Sequence, residues 1–342
     1  MRGIRALEAL VGALAITACS TVLRIEASDG GAEGGTLPDG GTLPDGGTLP
    51  DGALTGPVVL ASGLQEAASI AVDAKYVYFT RATAAGAILK VAKTGGAPEE
   101  VEVGDRVSNP FSLVVSPQGL LYWAATASGA VANGVRLRSA TSAVSSSTVG
   151  RPGGLAVTND KVLWTLPSSK QISYADSALA VVTPSVALQT IPTLIAASST
   201  HFYYASVEAT GVVVRSPYDF TMRDPTDATY DTISALALSS TMVAWASKDG
   251  VFRSSLDLRV VTKVSSLDNV VGIAIDDASV PPGALYFVSG STPGVLYRAT
   301  ESITAAPVPA LPTCTRGRAI AQDAEAVYLA CTDAILRIPK VR

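Results

Sequence analysis

The chain has 342 residues, 25 Lys+Arg against 29 Asp+Glu and a single histidine, for a formal net charge of −4. Only 16% of residues are charged and 48% are hydrophobic, which excludes the basic surface of a nucleic-acid binder and supplies ample core for folding. One histidine excludes every metal or catalytic site that needs two, and the length allows two domains or one large all-β domain.

The first element, residues 1–18, has the layout of an export signal. Arg2 and Arg5 form a basic start, and Ala9 to Ile16 form an apolar stretch far shorter than the roughly 20 residues a spanning helix needs. It ends at Ile16, Thr17, Ala18 and Cys19, which resembles the lipobox of bacterial lipoprotein signal peptides. That resemblance implies cleavage before Cys19, lipidation of its sulfur and new amino group, and anchoring to the membrane through the acyl chains. Ser20 after the cysteine, rather than Asp, implies the outer membrane under the commonest sorting rule of that family.

Residues 19–56 read as a tether. The hexapeptide Gly-Thr-Leu-Pro-Asp-Gly runs three times in tandem from Gly35, Gly41 and Gly47, and its Pro and Gly stop both helix and sheet from propagating. As a coil it would hold the next domain roughly 30 Å from the lipid. A calcium-binding array is the alternative, but each unit lacks the clustered carboxylates such a loop uses.

From residue 57 to 342 a two-part phrase recurs. A short apolar run closes with Asp, Ser or Thr, and an aromatic-rich run follows, as in Ser69 to Asp73 and then Tyr76 to Thr80. The apolar runs are anchored at Ile70, Leu113, Leu155, Ile195, Leu236, Ile273 and Ile320, spaced by 43, 42, 40, 41, 37 and 47 residues. A period near 40 with several short strands per unit is that of a β-propeller blade. Within the first unit, Ala87 to Val91 and Glu100 to Val103 read as a third and fourth strand. The last unit stops after its third strand, whereas an orphan strand, Pro57 to Ala61, precedes the first. The predicted fold is therefore an all-β, seven-bladed β-propeller of four-stranded antiparallel blades, with the N-terminal strand closing the last blade.

Tyr122, Trp123 and Ala124, with Trp164 and Thr165, resemble the second-strand signature of YWTD- and NHL-type propellers, although no unit carries the full Tyr-Trp-Thr-Asp. Lipobox, tether and propeller together resemble bacterial envelope lipoproteins. Streptogramin-lyase-like and zinc-dependent NHL lyases rely on histidine chemistry, which His201 alone does not supply.

Chemistry is sparse. Cys314 and Cys331 flank the first two strands of blade seven, where antiparallel pairing would bring them together; in an oxidising compartment a disulfide is favoured over two free thiols. Trp123, Trp164 and Trp245 share one blade position, expected in the core rather than as a sugar platform. Asp219, Asp224, Asp227 and Asp231 crowd one stretch that could offer calcium ligands or a solvated loop. No nucleophile elbow, Walker loop or zinc-protease motif occurs, and no catalytic residue, metal site or cofactor is assigned. The loops before each first strand converge in a propeller on one face. Here they carry Gln65 and Glu66, Asn109, Arg151, Asp268 and Asn269, and Arg316 with Arg318, a polar ring suited to an anionic or carbonyl-bearing ligand. The expected role is a lipid-anchored binding scaffold for an envelope protein. A small-molecule or glycan sensor and a carboxylate- or calcium-dependent hydrolase or lyase are the alternatives.

Overall fold

A propeller blade works when alternate side chains of each strand can fill the two gaps on either side of it. The computed structural model realises this over residues 56–340, apart from 84–85, 104–106, 127–132, 139–143, 148–149, 181, 208–209, 278–282, 301–304 and 309–313. The export signal, Cys19 and the tether as far as residue 55 lie outside the described residues. The described residues form seven antiparallel sheets of four strands, arranged as a seven-bladed β-propeller.

Six blades are built from consecutive strands; blade seven is not. Its sheet combines Gly317–Gln322, Ala326–Cys331 and Ala334–Pro339 with Val58–Ser62 from the other end of the chain. Val58 faces Arg337 and Ser62 faces Ala334, so the two ends of the propeller sequence are zipped into one sheet. The first strand of every blade also lies against the first strand of the next, all the way round the ring.

The repeat is explained by register. Each anchor residue pairs with one residue of the second strand: Ile70 with Phe79, Leu113 with Trp123, Leu155 with Trp164 and Ile195 with Tyr204. Leu236 with Trp245, Ile273 with Phe287 and Ile320 with Leu329 complete the set. Because side chains alternate along a strand, this residue faces the preceding blade and its neighbour the following one. Trp164 thus packs between blades two and three while Leu163 packs between three and four. Among the described residues the core is seven clusters, one per gap between blades. Trp123, Trp164 and Trp245 are all 0% exposed, which makes them core rather than a stacking platform.

In blades one to five and seven, the Asp, Ser or Thr that ends the apolar run has a definite task. It caps the tight turn into the second strand. Asp73 accepts from the amides of Lys75 and Tyr76, Asp323 from those of Glu325 and Ala326, and Ser198 from that of His201. Thr158, Ser239 and Ser116 serve Lys161, Met242 and Leu120 in the same way. These side chains satisfy turn amides that a tight connection leaves without ladder partners. They define one face of the ring, called here the lower face. The loops entering the first strands lie on the opposite, upper face.

Candidate functional site

On the upper face each loop that enters a first strand is hydrogen-bonded to a turn between second and third strands. Asn269 O accepts from Gly290 N (2.7 Å), and Gly290 O accepts from Arg316 Nε (3.0 Å). Arg316 O accepts from Thr332 N (3.0 Å), Thr332 Oγ1 from Arg318 Nε (3.3 Å), and Thr332 O from Ala67 N (3.2 Å). Leu64 N donates to Asp333 O (3.0 Å), Ala82 N to Glu66 O (3.0 Å) and Asn109 N to Thr83 O (3.3 Å). A continuous arc therefore joins Asn269, Arg316, Arg318, Gln65 and Asn109 across blades six, seven, one and two. Arg151 lies apart, in the loop entering blade three.

Several features stiffen this arc. Glu66 and Asn109 adopt left-handed backbone (φ 53° and 42°), turning the chain sharply into the first strands of blades one and two. Cys314 and Cys331 are disulfide-bonded, with Cα atoms 5.4 Å apart. The bond ties the loop carrying Arg316, which leads into the strand that bears Arg318, to the strand end that leads into Thr332 and Asp333, so it braces the arc as well as the blade.

Arg316 and Arg318 use their Nε atoms in protein contacts, and their terminal amino groups make no hydrogen bond to described residues. A guanidinium held by Nε presents its outer fork to an incoming carboxylate or carbonyl. Asp333 supplies the opposite polarity. Its Oδ2 accepts from Thr315 Oγ1 (2.6 Å), whereas Oδ1 is buried without a hydrogen-bond partner. Such an oxygen is costly to leave unmatched and suits an N–H or O–H from a ligand. The Thr332–Asp333 turn and Gly290 escaped sequence reasoning because only loops before first strands were considered. The turns after second strands share the same face, and nothing in their local sequence announces it.

Clefts open on this face beside Gln65 and beside Arg151. One, of about 240 Å³, is lined by Gln65, Leu64, Phe79 and Arg81; the Arg81 charge lies 4.0 Å from Glu100. The other, of about 340 Å³, lies beside Arg151 between Phe111, Pro152, Pro167 and Thr193.

The remaining candidates do not converge. His201 is on the lower face, with Nδ1 2.9 Å from Thr200 Oγ1 and Nε2 2.9 Å from Arg215 Nη2. Since guanidinium only donates, Nε2 accepts and the imidazole is neutral; burial and the Arg215 charge both lower its pKa. Asp224 lies 3.7 Å from Arg215 and Asp231 lies 3.5 Å from Lys248, while Asp219 accepts from Thr221. Backbone and hydroxyl hydrogen bonds from Thr221 hold the Asp219 carboxyl below its usual range. Asp227 is exposed, and among the described residues no three His, Cys, Asp or Glu side chains form a metal-holding group.

No protein-family model matches the chain, and no curated protein matches it in sequence. Solved structures do. Virginiamycin B lyase from Staphylococcus aureus superposes with a TM-score of 0.67 at 14% identity, covering 83% of this chain and 98% of the lyase. A catalytically inactive histidine-to-alanine variant of that lyase, crystallised with quinupristin, gives 0.68 at 14% identity over 83% and 98%. The WD40 repeats of RRP9 give 0.62 at 11% identity over 83% and 97%. At this identity the likeness establishes the fold alone.

Proposed function

We propose that the protein is an exported β-propeller, lipid-anchored through Cys19 to the bacterial envelope, whose upper face binds an envelope protein. The observation that carries this is the braced arc of Arg316, Arg318, Asn269 and Gln65, in which both arginines are held by Nε and their terminal amino groups make no hydrogen bond to described residues. A rigid polar rim on a ring suits recognition of carboxylates and backbone carbonyls on a partner. The tether of residues 19–56 would let that rim search near the membrane at raised local concentration.

A lyase reading draws on the likeness to virginiamycin B lyase. It is disfavoured because that enzyme loses activity when a histidine is replaced, whereas the single histidine here serves Arg215 on the lower face. A small-ligand reading has the Arg151 cleft in its favour. Cross-linking of the full-length protein in intact cells, followed by mass spectrometry, tests the proposal. A partner recovered with wild type but lost with both Cys19→Ala and Arg316→Gln/Arg318→Gln is the expected result. Recovery unchanged by the arginine pair would refute the upper-face assignment.

A further inference from the structure

The cleft beside Arg151 owes its existence to a short strand. Blade three's first strand is only Leu155–Val157, whereas those of its neighbours are Pro110–Val115 and Ile191–Ala197. Residues 151–153, just before it, instead line an opening between Phe111 of blade two and Thr193 of blade four.

The backbone here is rigid. Thr165 Oγ1 accepts from Gly154 N (2.7 Å) and donates to Thr193 O (3.0 Å), while Gly153 N donates to Thr165 O (2.9 Å). Only glycine fits here. A Cβ on Gly153 would stand 2.6 Å from Thr165 Oγ1 and 2.9 Å from Thr193 O; one on Gly154 would stand 2.9 Å from Ile195 N. Pro152 and Pro167 fix the backbone on either side.

The chemistry of the lining is selective. Phe111, Pro152 and Pro167 are apolar walls, no acidic side chain is present, and the hydroxyl of Ser168 makes no hydrogen bond among described residues. Arg151 is exposed and, unlike Arg81 in the neighbouring cleft, has no ion-pair or hydrogen-bond partner among described residues. Resting on the reading of the upper face as a binding face, we infer that this cleft binds a carboxylate carried on an apolar body. The Arg151 guanidinium takes the carboxylate, Ser168 adds a hydroxyl donor, and Phe111 with the two prolines covers the apolar part. The cleft's volume of about 340 Å³ is at the small end for ligand pockets, which fits a small organic acid or the last residue of a peptide.

Calorimetric titration of the full chain with phenylacetate and phenylacetamide, and with a peptide ending in phenylalanine as free acid and as amide, tests this. The acids should bind and the amides should be weaker by about tenfold or more, the loss of one charge-assisted hydrogen-bond pair. Arg151→Gln should reproduce that loss on the acid with an unchanged melting temperature, because the side chain is exposed. Arg316→Gln/Arg318→Gln should leave it intact. Binding of the peptide acid but not phenylacetate would make the ligand a chain terminus; the reverse would make it a free acid. Equal binding of acid and amide, no binding of either acid, or an unaltered Arg151→Gln variant overturns the proposal. Loss with the Arg316/Arg318 variant alone also overturns it, while leaving the upper-face reading standing.

Discussion

Lys340 and Asp276 provide a sharp test of how blade seven is held. Lys340 follows the third strand of blade seven, and its Nζ lies 2.8 Å from Oδ1 of Asp276, which ends the first strand of blade six; the two side chains are 3% and 5% exposed. Solvent therefore cannot screen or replace either charge. Lys340→Met removes the cation 2.8 Å from a buried carboxylate, a change expected to cost about 3–5 kcal/mol. At roughly 2–4 °C per kcal/mol the melting temperature should fall by about 6–20 °C. Asp276→Asn, which strands the ammonium, should cost a similar amount. The double variant should lose less than the sum, with a coupling of about 1–3 kcal/mol. Lys248 and Asp231 supply the internal control, being 3.5 Å apart but 63% and 57% exposed. Lys248→Met should cost less than about 1 kcal/mol. Urea denaturation monitored by tryptophan fluorescence measures all four variants. Losses below about 1 kcal/mol for Lys340→Met, or strict additivity in the double variant, would refute the buried-pair argument.

Replacing Cys314 and Cys331 together by Ser opens a link between residues 17 apart and should cost about 3 kcal/mol, read as a lowered urea midpoint; an unchanged midpoint would contradict the bracing role. Burial alone would raise the Asp323 pKa, but Lys93, the amides of Ala326 and Glu325 and the Tyr328 hydroxyl outweigh it and hold it below the usual value. The resulting stability is present above the unfolded carboxylate value of about 3.9 and is lost as pH falls through the lower folded value, so Asp323→Asn should flatten the acid limb of a melting curve against pH. His201 should titrate below its usual value of about 6.5 by NMR; its folded form resists protonation, so this contribution is complete above that pH and declines as pH falls towards the folded value. Burial with the Asp176 charge pushes the Tyr122 phenol up to about 12, so absorbance titration should find it silent at pH 10. Gly154→Ala places a methyl 2.9 Å from Ile195 N and should destabilise by about 1–3 kcal/mol in the same urea assay.

Much of the ring was legible in the chain because a blade is a local object. Ile70 and Phe79, or Leu236 and Trp245, are neighbours in sequence, and their spacing already contains the hairpin that pairs them. The closing strand was legible by subtraction, since blade seven lacked a fourth strand and Val58–Ser62 lacked a sheet. The disulfide was legible for the same reason, both cysteines belonging to one blade. The site was only partly so. Sequence placed Gln65, Asn109, Arg151, Asn269, Arg316 and Arg318 on one ring; the arc joins five of them and leaves Arg151 apart.

The sequence by itself determined the blade count, the strand order within each blade and the face on which each loop emerges, because these follow from the repeat period and short turns. Tertiary structure alone decided which rim residues meet. The arc from Asn269 to Asn109 runs through hydrogen bonds such as that from Ala67 N to Thr332 O, between residues far apart in the chain. It also separated Arg151 into its own cleft. That depended on the short strand Leu155–Val157 lying between longer neighbours, a comparison of three blades at one height that no single stretch of sequence contains.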